Sequence, residues 1–498
     1  MNPISSSPHS ANLRKMALMA TGAFLLFILD GCKVGPDYHA PTQAVKMNQW
    51  GTAQTEGNLQ AVTGLGAVRV PEKWWSTFND PELTHLVERA LVSSPDLAIA
   101  EQRVREARAG LRSVTGARDP QVGAGAGAME YRRTGPLNTL YRESYSTFQT
   151  GFDASWEMDL WGGTRRAIES AGAAWEATQE ESHGVRVSLA AEVARSYVEL
   201  RAGQRRLAIA HTNLTLQQRT LYLTRERLRA GVASDLDEAR ASGLVANTQA
   251  LLPQLEDGNA RLVRRLGILL GQEPDTLASE LAATLPIPTP PASVAIGLPV
   301  ELLRHRPDIR AAERRLAAST ARIGAAKAQL YPKLSLTGTL GFVSTRSEDI
   351  FAYSNRYFGV GPGLHWNLFD GGRVRAQVEA ESARTDRALA EYHKTVLAAL
   401  ADVDNSLGSF YAEQRRHRAL DEAVNSARRA VSTATELYRQ GVTDFLSVID
   451  AERSLASAED NLDQSDRAVC TNLIALYKSL GGGWENPSVN TAAQVRHS

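Results

Sequence analysis

The apolar positions of this chain change period along its length. From Thr147 to Leu160 the even positions Phe148, Phe152, Ala154, Trp156, Met158 and Leu160 are apolar, while Gln149, Asp153, Ser155, Glu157 and Asp159 are polar. Strict alternation of this kind predicts a strand with one apolar face. The same parity recurs over Val122–Ala128, Leu334–Phe342 and Phe358–Leu368. Past each pair of strands the period becomes helical. Arg165 to Ala230 holds no proline, and Val193, Leu200, Leu207, Leu214, Leu221 and Leu228 recur every seven residues, which predicts a rod of ~100 Å. Arg373 to Gln440 also lacks proline, with Leu389, Val396, Leu400, Val403, Leu407 and Phe410 at helical spacing, resumed from Leu420 to Tyr438. Gly231 and Gly441 stop these helices, and returning helices are predicted over Leu236–Leu270 and Leu446–Leu480. Pro253 should kink the first of them and has no counterpart in the second.

The pattern is written twice. Ser94-Pro95-Asp96-Leu97 matches Arg306-Pro307-Asp308-Ile309 at an offset of 212 residues, as Asp119-Pro120 matches Tyr331-Pro332. Gly162-Gly163 matches Gly371-Gly372 at 209, and Gly231 and Gly271 match Gly441 and Gly481 at 210. Landmarks in one order at a near-constant offset mark an internal duplication. Each copy reads short helix, strand, strand, long helix, returning helix, with the short helices over Pro95–Arg118 and Pro307–Leu330. The expected division is residues 1–31 as a signal peptide, 32–93 as an N-terminal segment, 94–283 as the first repeat, 284–305 as a Pro-rich linker, 306–483 as the second repeat and 484–498 as a tail.

Strands of ~9–11 residues with one apolar face suit a transmembrane barrel. A soluble sandwich would have more strands with closer turn signals. Four strands cannot close a barrel in lipid, where an open edge leaves backbone groups unsatisfied. Strands in the membrane would therefore force oligomerisation, with about twelve strands from three chains or about eight from two.

The N-terminus carries Arg14 and Lys15, an apolar run from Met16 to Leu29, and Asp30-Gly31-Cys32. A basic start before a short apolar run reads as a secretory signal. Gly31 before Cys32, with Leu29 upstream, looks like a bacterial lipoprotein processing site that would leave Cys32 acylated; Asp30 departs from that pattern, and an ordinary signal with an incidental cysteine is the alternative. The other cysteine, Cys470, is expected to be a small buried residue. Lys+Arg and Asp+Glu both number 55 among 498 residues, so no basic field points to nucleic acid. No catalytic motif, metal cluster or phosphate loop is present in the pattern of histidines, acids and glycines, so neither an enzyme nor a cofactor is expected.

These residues resemble the TolC-like outer membrane factors, in particular the lipoprotein branch of tripartite efflux systems. The resemblance rests on Cys32-Lys33-Val34-Gly35-Pro36-Asp37-Tyr38, Trp74-Trp75 with Phe78 and Asp80-Pro81-Glu82-Leu83, Arg306-Pro307-Asp308-Ile309, and Phe369-Asp370-Gly371-Gly372. It implies a mixed α/β membrane protein: a homotrimer with one twelve-stranded transmembrane β-barrel, four strands per chain, continued by a long α-helical periplasmic barrel. It also implies a periplasmic adaptor (membrane fusion) protein and an inner-membrane efflux pump as partners, with outer membrane lipid around the strands.

Candidate sites follow from this layout. Trp156, Trp161 and Trp366 fall near one end of their strands, where interfacial aromatics anchor barrels; ordinary strand packing is the alternative. The Gly231 and Gly441 turns mark helix tips. Asp235 and Asp450 are placed one or two turns into the returning helices, and Tyr438 and Arg439 just before the second turn. Threefold symmetry would gather these into a periplasmic gate of carboxylates and arginines; helix caps and solvated charges are the alternative. The function expected is a passive export duct for drugs or other small molecules. A structural coiled-coil lipoprotein and a protein-secretion duct are the competing readings.

Overall fold

A computed structural model describes residues 33–41, 71–134, 142–291 and 305–484. The signal segment, Cys32, part of the Pro-rich linker and nearly all of the tail lie outside the described residues. The helices are α1 (Pro81–Ser93), α2 (Pro95–Gly116), α3 (Gly163–Arg229), α4 (Asp235–Leu269), α5 (Pro307–Ala328), α6 (Arg373–Arg439) and α7 (Phe445–Ser479). The strands are β1 (Gln121–Thr134), β2 (Arg142–Met158), β3 (Lys333–Ser344) and β4 (Arg356–His365). No described helix is long and apolar enough to cross a membrane.

The duplication is visible element by element. Both long helices, α3 and α6, have 67 residues and both returning helices, α4 and α7, have 35. Their stops match too. Gly231, Gly271, Gly441 and Gly481 all take positive φ, between 70° and 77°. At Gly231 the Val232 amide reaches back to the Arg227 carbonyl at 2.9 Å, and at Gly441 the Val442 amide reaches Leu437 at 2.9 Å. This wrap satisfies terminal carbonyls and needs a left-handed residue. Pro253 lies inside α4 without ending it. Strand boundaries differ from the sequence reading: β1 and β2 extend further toward their shared hairpin, and β4 ends at His365, which leaves Trp366 and Leu368 beyond the strand.

The chain divides into two compact units that cut across the repeats. The first (residues 1–42, 104–178 and 312–392) holds the sheet. It is a single antiparallel sheet in the order β1-β2-β3-β4, so the pairing of β2 with β3 joins the two copies. In register, Ala124, Phe152, Leu340 and Phe358 form one row and Gly123, Asp153, Thr339 and Gly359 the next. The apolar row is bare, with Phe358 81% exposed. Gly151 lies opposite Gly341 in the β2–β3 pair, where a Cβ on Gly151 would fall 2.6 Å from the Leu340 carbonyl oxygen. Only glycine allows the two backbones this approach.

The described residues of the second unit (residues 43–103, 179–311 and 393–498) are mainly helical. Its N-terminal part carries the Trp-Trp and Asp-Pro landmarks. Trp74, Trp75 and Phe78 are buried on a 3-10 turn, with Trp74 stacked on Tyr477 at 5.2 Å between ring centroids. Asp80 caps α1 through the Leu83 amide at 3.0 Å, and its second oxygen accepts from the Tyr197 hydroxyl at 2.9 Å. Cys470 is buried as expected, its thiol 3.1 Å from the Pro288 carbonyl.

Candidate functional site

Two regions of the sequence reading acquire geometry, one in each unit. In the first unit, indoles brace the junction between short helix and strand. Trp156 Nε1 donates to the Arg118 carbonyl at 2.9 Å, and Trp366 Nε1 to the Leu330 carbonyl at 3.1 Å. Trp161 donates to Pro332 at 2.8 Å and stacks on Tyr331 with centroids 4.7 Å apart. An indole N–H ordinarily finds an acceptor, and here Trp156 and Trp366 take carbonyls just past a helix end while Trp161 takes one at the entrance to β3. Asp370 then caps α6, accepting from the Gly372 and Val374 amides at 3.0 Å each. Those backbone donors, Val374 first, hold its carboxyl below the usual range.

The residues following Cys32 form a strap in the same unit. The Val34 amide donates to the Trp161 carbonyl at 3.1 Å. Arg166, 1% exposed, donates to the Val34 and Gly35 carbonyls at 3.2 Å each and pairs with Asp37 at 2.8 Å. The contact lowers the Asp37 carboxyl, chiefly through the hydrogen bond. Gly35, at φ +93°, lies against Gly324 with no room for a Cβ. Tyr38 donates to Glu313 at 3.0 Å. Nothing in the sequence marks Arg166, because a single arginine at a helix start carries no motif.

In the second unit, the turns at Gly231 and Gly441 form the ends of two helical pairs. Beneath them Leu221, Ala241, Val245, Phe445, Val448 and Ile449 make a shared apolar core, with Tyr438 packed at its edge. The first returning helix begins with a capping box, in which Ser234 accepts from the Asp237 amide at 3.2 Å and Asp237 from the Ser234 amide at 3.1 Å. The second begins with the roles exchanged: Asp444 accepts from the Ser447 amide at 3.0 Å and the Ser447 hydroxyl at 2.6 Å. Both arrangements satisfy orphan donors of a helix start.

The four tip residues have different surroundings. Asp235 is the first residue of α4 and therefore in its opening turn, closer to the tip than the spacing suggested. Asp450 lies in the second turn of α7, and both are exposed. Arg439 pairs with Glu436 of its own helix at 3.5 Å, so within one chain it joins neither aspartate. Tyr438 is instead engaged by Arg227, which sequence reading missed. Its guanidinium lies 4.3 Å from the Tyr438 ring centroid and donates to the Tyr438 carbonyl at 3.1 Å. Tyr438 also packs on Phe445 at 5.4 Å, and burial is the first cause of its raised phenol pKa. Arg227 comes from the first copy and Tyr438 from the second, so this contact ties the two hairpins together.

A family model described as outer membrane efflux protein matches residues 86–272 and 298–482. The pyoverdine export outer membrane protein OpmQ of Pseudomonas aeruginosa is 34% identical over 422 residues, covering 83% of this chain and 88% of that protein. The toluene efflux pump outer membrane protein TtgI of Pseudomonas putida is 32% identical, with 93% of this chain and 97% of that protein covered. Among solved structures, the outer-membrane channel OprN superposes with a TM-score of 0.82 at 39% identity, covering 91% of this chain and all of that one. Duplicated hairpins of helix, an amphipathic four-stranded sheet and these likenesses lead to one conclusion: the chain belongs to the outer membrane efflux protein family and is an efflux channel component of the outer membrane, not an enzyme.

Proposed function

We propose that three copies of this chain close one twelve-stranded barrel and a helical duct through which small molecules leave the cell. The observation that carries the reading is the sheet with two open edges. Among the described residues β1 and β4 each pair on one side only, while the even-numbered positions of Val122–Ala128 and Phe358–Leu364 bare an apolar face. An unpaired edge in lipid is untenable, so partner chains must supply the missing strands. The helices agree. α5 packs on α3, burying Ala173 against Ala317 and Ala318, whereas α2, its counterpart in the first copy, buries only Leu97 and Ala100. The α6 helix of a neighbouring copy, counterpart of α3, is the surface that would cover α2. Native mass spectrometry of the detergent-solubilised protein should give the mass of three chains; a single-chain particle would end the reading.

The finer features follow from the same layout. Acylated Cys32 would anchor the mature chain beside the strap that holds Val34 against Trp161. Trp156, Trp161 and Trp366 would sit at the lower lipid boundary, their rings in the interface and their N–H groups bound to protein. The Gly231 and Gly441 tips would lie in the periplasm and meet an adaptor and an inner-membrane pump. Asp235, Asp450, Tyr438 and Arg439 would form the gate, with the exposed aspartates giving rings of negative charge around the threefold axis. The cargo reading rests on relatives named for pyoverdine export and toluene efflux, and takes small organic molecules as the class.

A further inference from the structure

Helix α7 carries Asp460, Asp463 and Asp466 at three-residue spacing, and all three meet arginines of α3. Arg206 binds Asp460 at 2.7 Å, while Arg205 is shared between Asp466 at 2.7 Å and Asp463 at 3.3 Å. Three carboxylates thus face two guanidinium groups. Asp463 is the worst provided of the three. It is 1% exposed, and among the described residues neither of its carboxylate oxygens has a hydrogen-bond partner. The third packed element, α6, presents His417, with Nε2 2.6 Å from Asp466, and Glu413, which pairs with Arg416 at 3.1 Å and accepts from Ser465 at 2.5 Å. None of these groups reaches Asp463. A buried carboxylate served by one shared ion pair recovers little of the hydration it gives up.

We propose that Asp463 is a proton-binding site in the helical wall, whose occupancy seats α7 against α3 and α6 and whose emptying leaves that seam with an unbalanced charge. Asp463 itself has only a share of Arg205 as counter-charge, and a proton on its carboxyl removes the need for more. Burial is the first cause that pushes the Asp463 carboxyl up to about 6; Arg205 and Arg206 oppose it, and Asp466 and Asp460 reinforce it. The folded chain therefore holds this proton more tightly than an unfolded one, so the stabilisation is complete below the ordinary carboxyl value of 3.8, falls steadily as pH rises from there, and is lost above about 6. The two returning helices differ here. At the constant offset of 210 residues, Asp463 takes the place of Pro253, so only α7 carries the site. The same helix begins with Phe445, Val448 and Ile449 of the tip core, which makes its seating relevant to the end that opens.

Thermal unfolding of the detergent-solubilised full chain at pH 5 and pH 7.5, compared with Asp463→Asn, tests this. The amide keeps the shape and lacks the charge, so the variant should melt ~2–4 °C above the unsubstituted protein at pH 7.5, with that margin about halved at pH 5. The same displacement at both pH values, or none, overturns the proposal. Arg205→Met supplies a second reading should the amide variant fail to fold: its deficit should be larger at pH 7.5 than at pH 5, and a deficit independent of pH overturns the proposal equally. The comparison is repeated in EDTA and in excess Ca²⁺. A pH step that EDTA abolishes would assign the site to a divalent cation and end the proton reading, whereas a step unchanged by either supports it.

Discussion

Trp366 repeats Trp156. The two indoles stand 210 residues apart, and their acceptors, the carbonyls of Leu330 and Arg118, stand 212 apart. The duplication has thus kept a side-chain hydrogen bond as well as an element order. The reason is local: each short helix ends a few residues before a strand, and a carbonyl at its exit needs a donor that the returning strand can bring.

Removing that donor should cost stability without changing shape. Trp156→Phe and Trp366→Phe are each expected to lose ~1 kcal/mol, the net worth of one hydrogen bond with some penalty for the orphaned carbonyl. Because the sites lie on different strand ends, the double variant should show the sum. Chemical unfolding in detergent measures both.

The strap should fail through one methyl group. Gly35→Ala asks for a side chain at φ +93° where Gly324 leaves no room, so the segment should lift and leave buried Arg166 without its two carbonyl acceptors. Limited proteolysis between residues 33 and 41 should become at least several-fold faster than in the unsubstituted protein. An unchanged rate would mean that the strap contributes nothing to order there.

Arg227 is expected to hold the tip closed. Arg227→Ala removes both the cation–π contact and the donor to the Tyr438 carbonyl, each typically worth ~0.5–2 kcal/mol, and should raise single-channel conductance in planar bilayers. Tyr438→Phe keeps the ring and should change conductance less. Asp450→Ala should weaken cation preference, since in the proposed trimer it would remove three exposed carboxylates. Conductance and ion preference unmoved in all three variants would return the tip to caps and solvated charges.

Cys470 should be chemically silent. Burial pushes its thiol up to about 12, and its side chain is 1% exposed. At pH 8 the folded protein is expected to resist maleimide labelling at Cys470, becoming labelled only with unfolding. Labelling at the rate of a free thiol in the native protein would contradict the packing under Pro288.

The acylation of Cys32 is checked on the mature chain. Mass spectrometry of the purified N-terminal peptide should find a lipid-modified Cys32, and Cys32→Ser should abolish that modification. An unmodified residue other than Cys32 at the mature N-terminus would show that Asp30 defeats the processing site.

What the sequence determined by itself was everything that repeats. Period-two and period-seven apolar spacing gave strands and rods, because burial of one face imposes its period on the chain. Glycine at 231 and 441 gave the turns, because a left-handed helix stop strongly favours it. The tertiary structure alone decided which strands pair, joining β2 to β3 across the two repeats, since register and order depend on long-range contacts that no local spacing encodes. It alone decided that Arg439 turns to Glu436 while Arg227 takes Tyr438, because arginines at a helix end look alike until the facing helix is placed. The same holds for Asp463. Its spacing in α7 is that of any surface acid, and only the packing of α3 and α6 around it makes its charge costly.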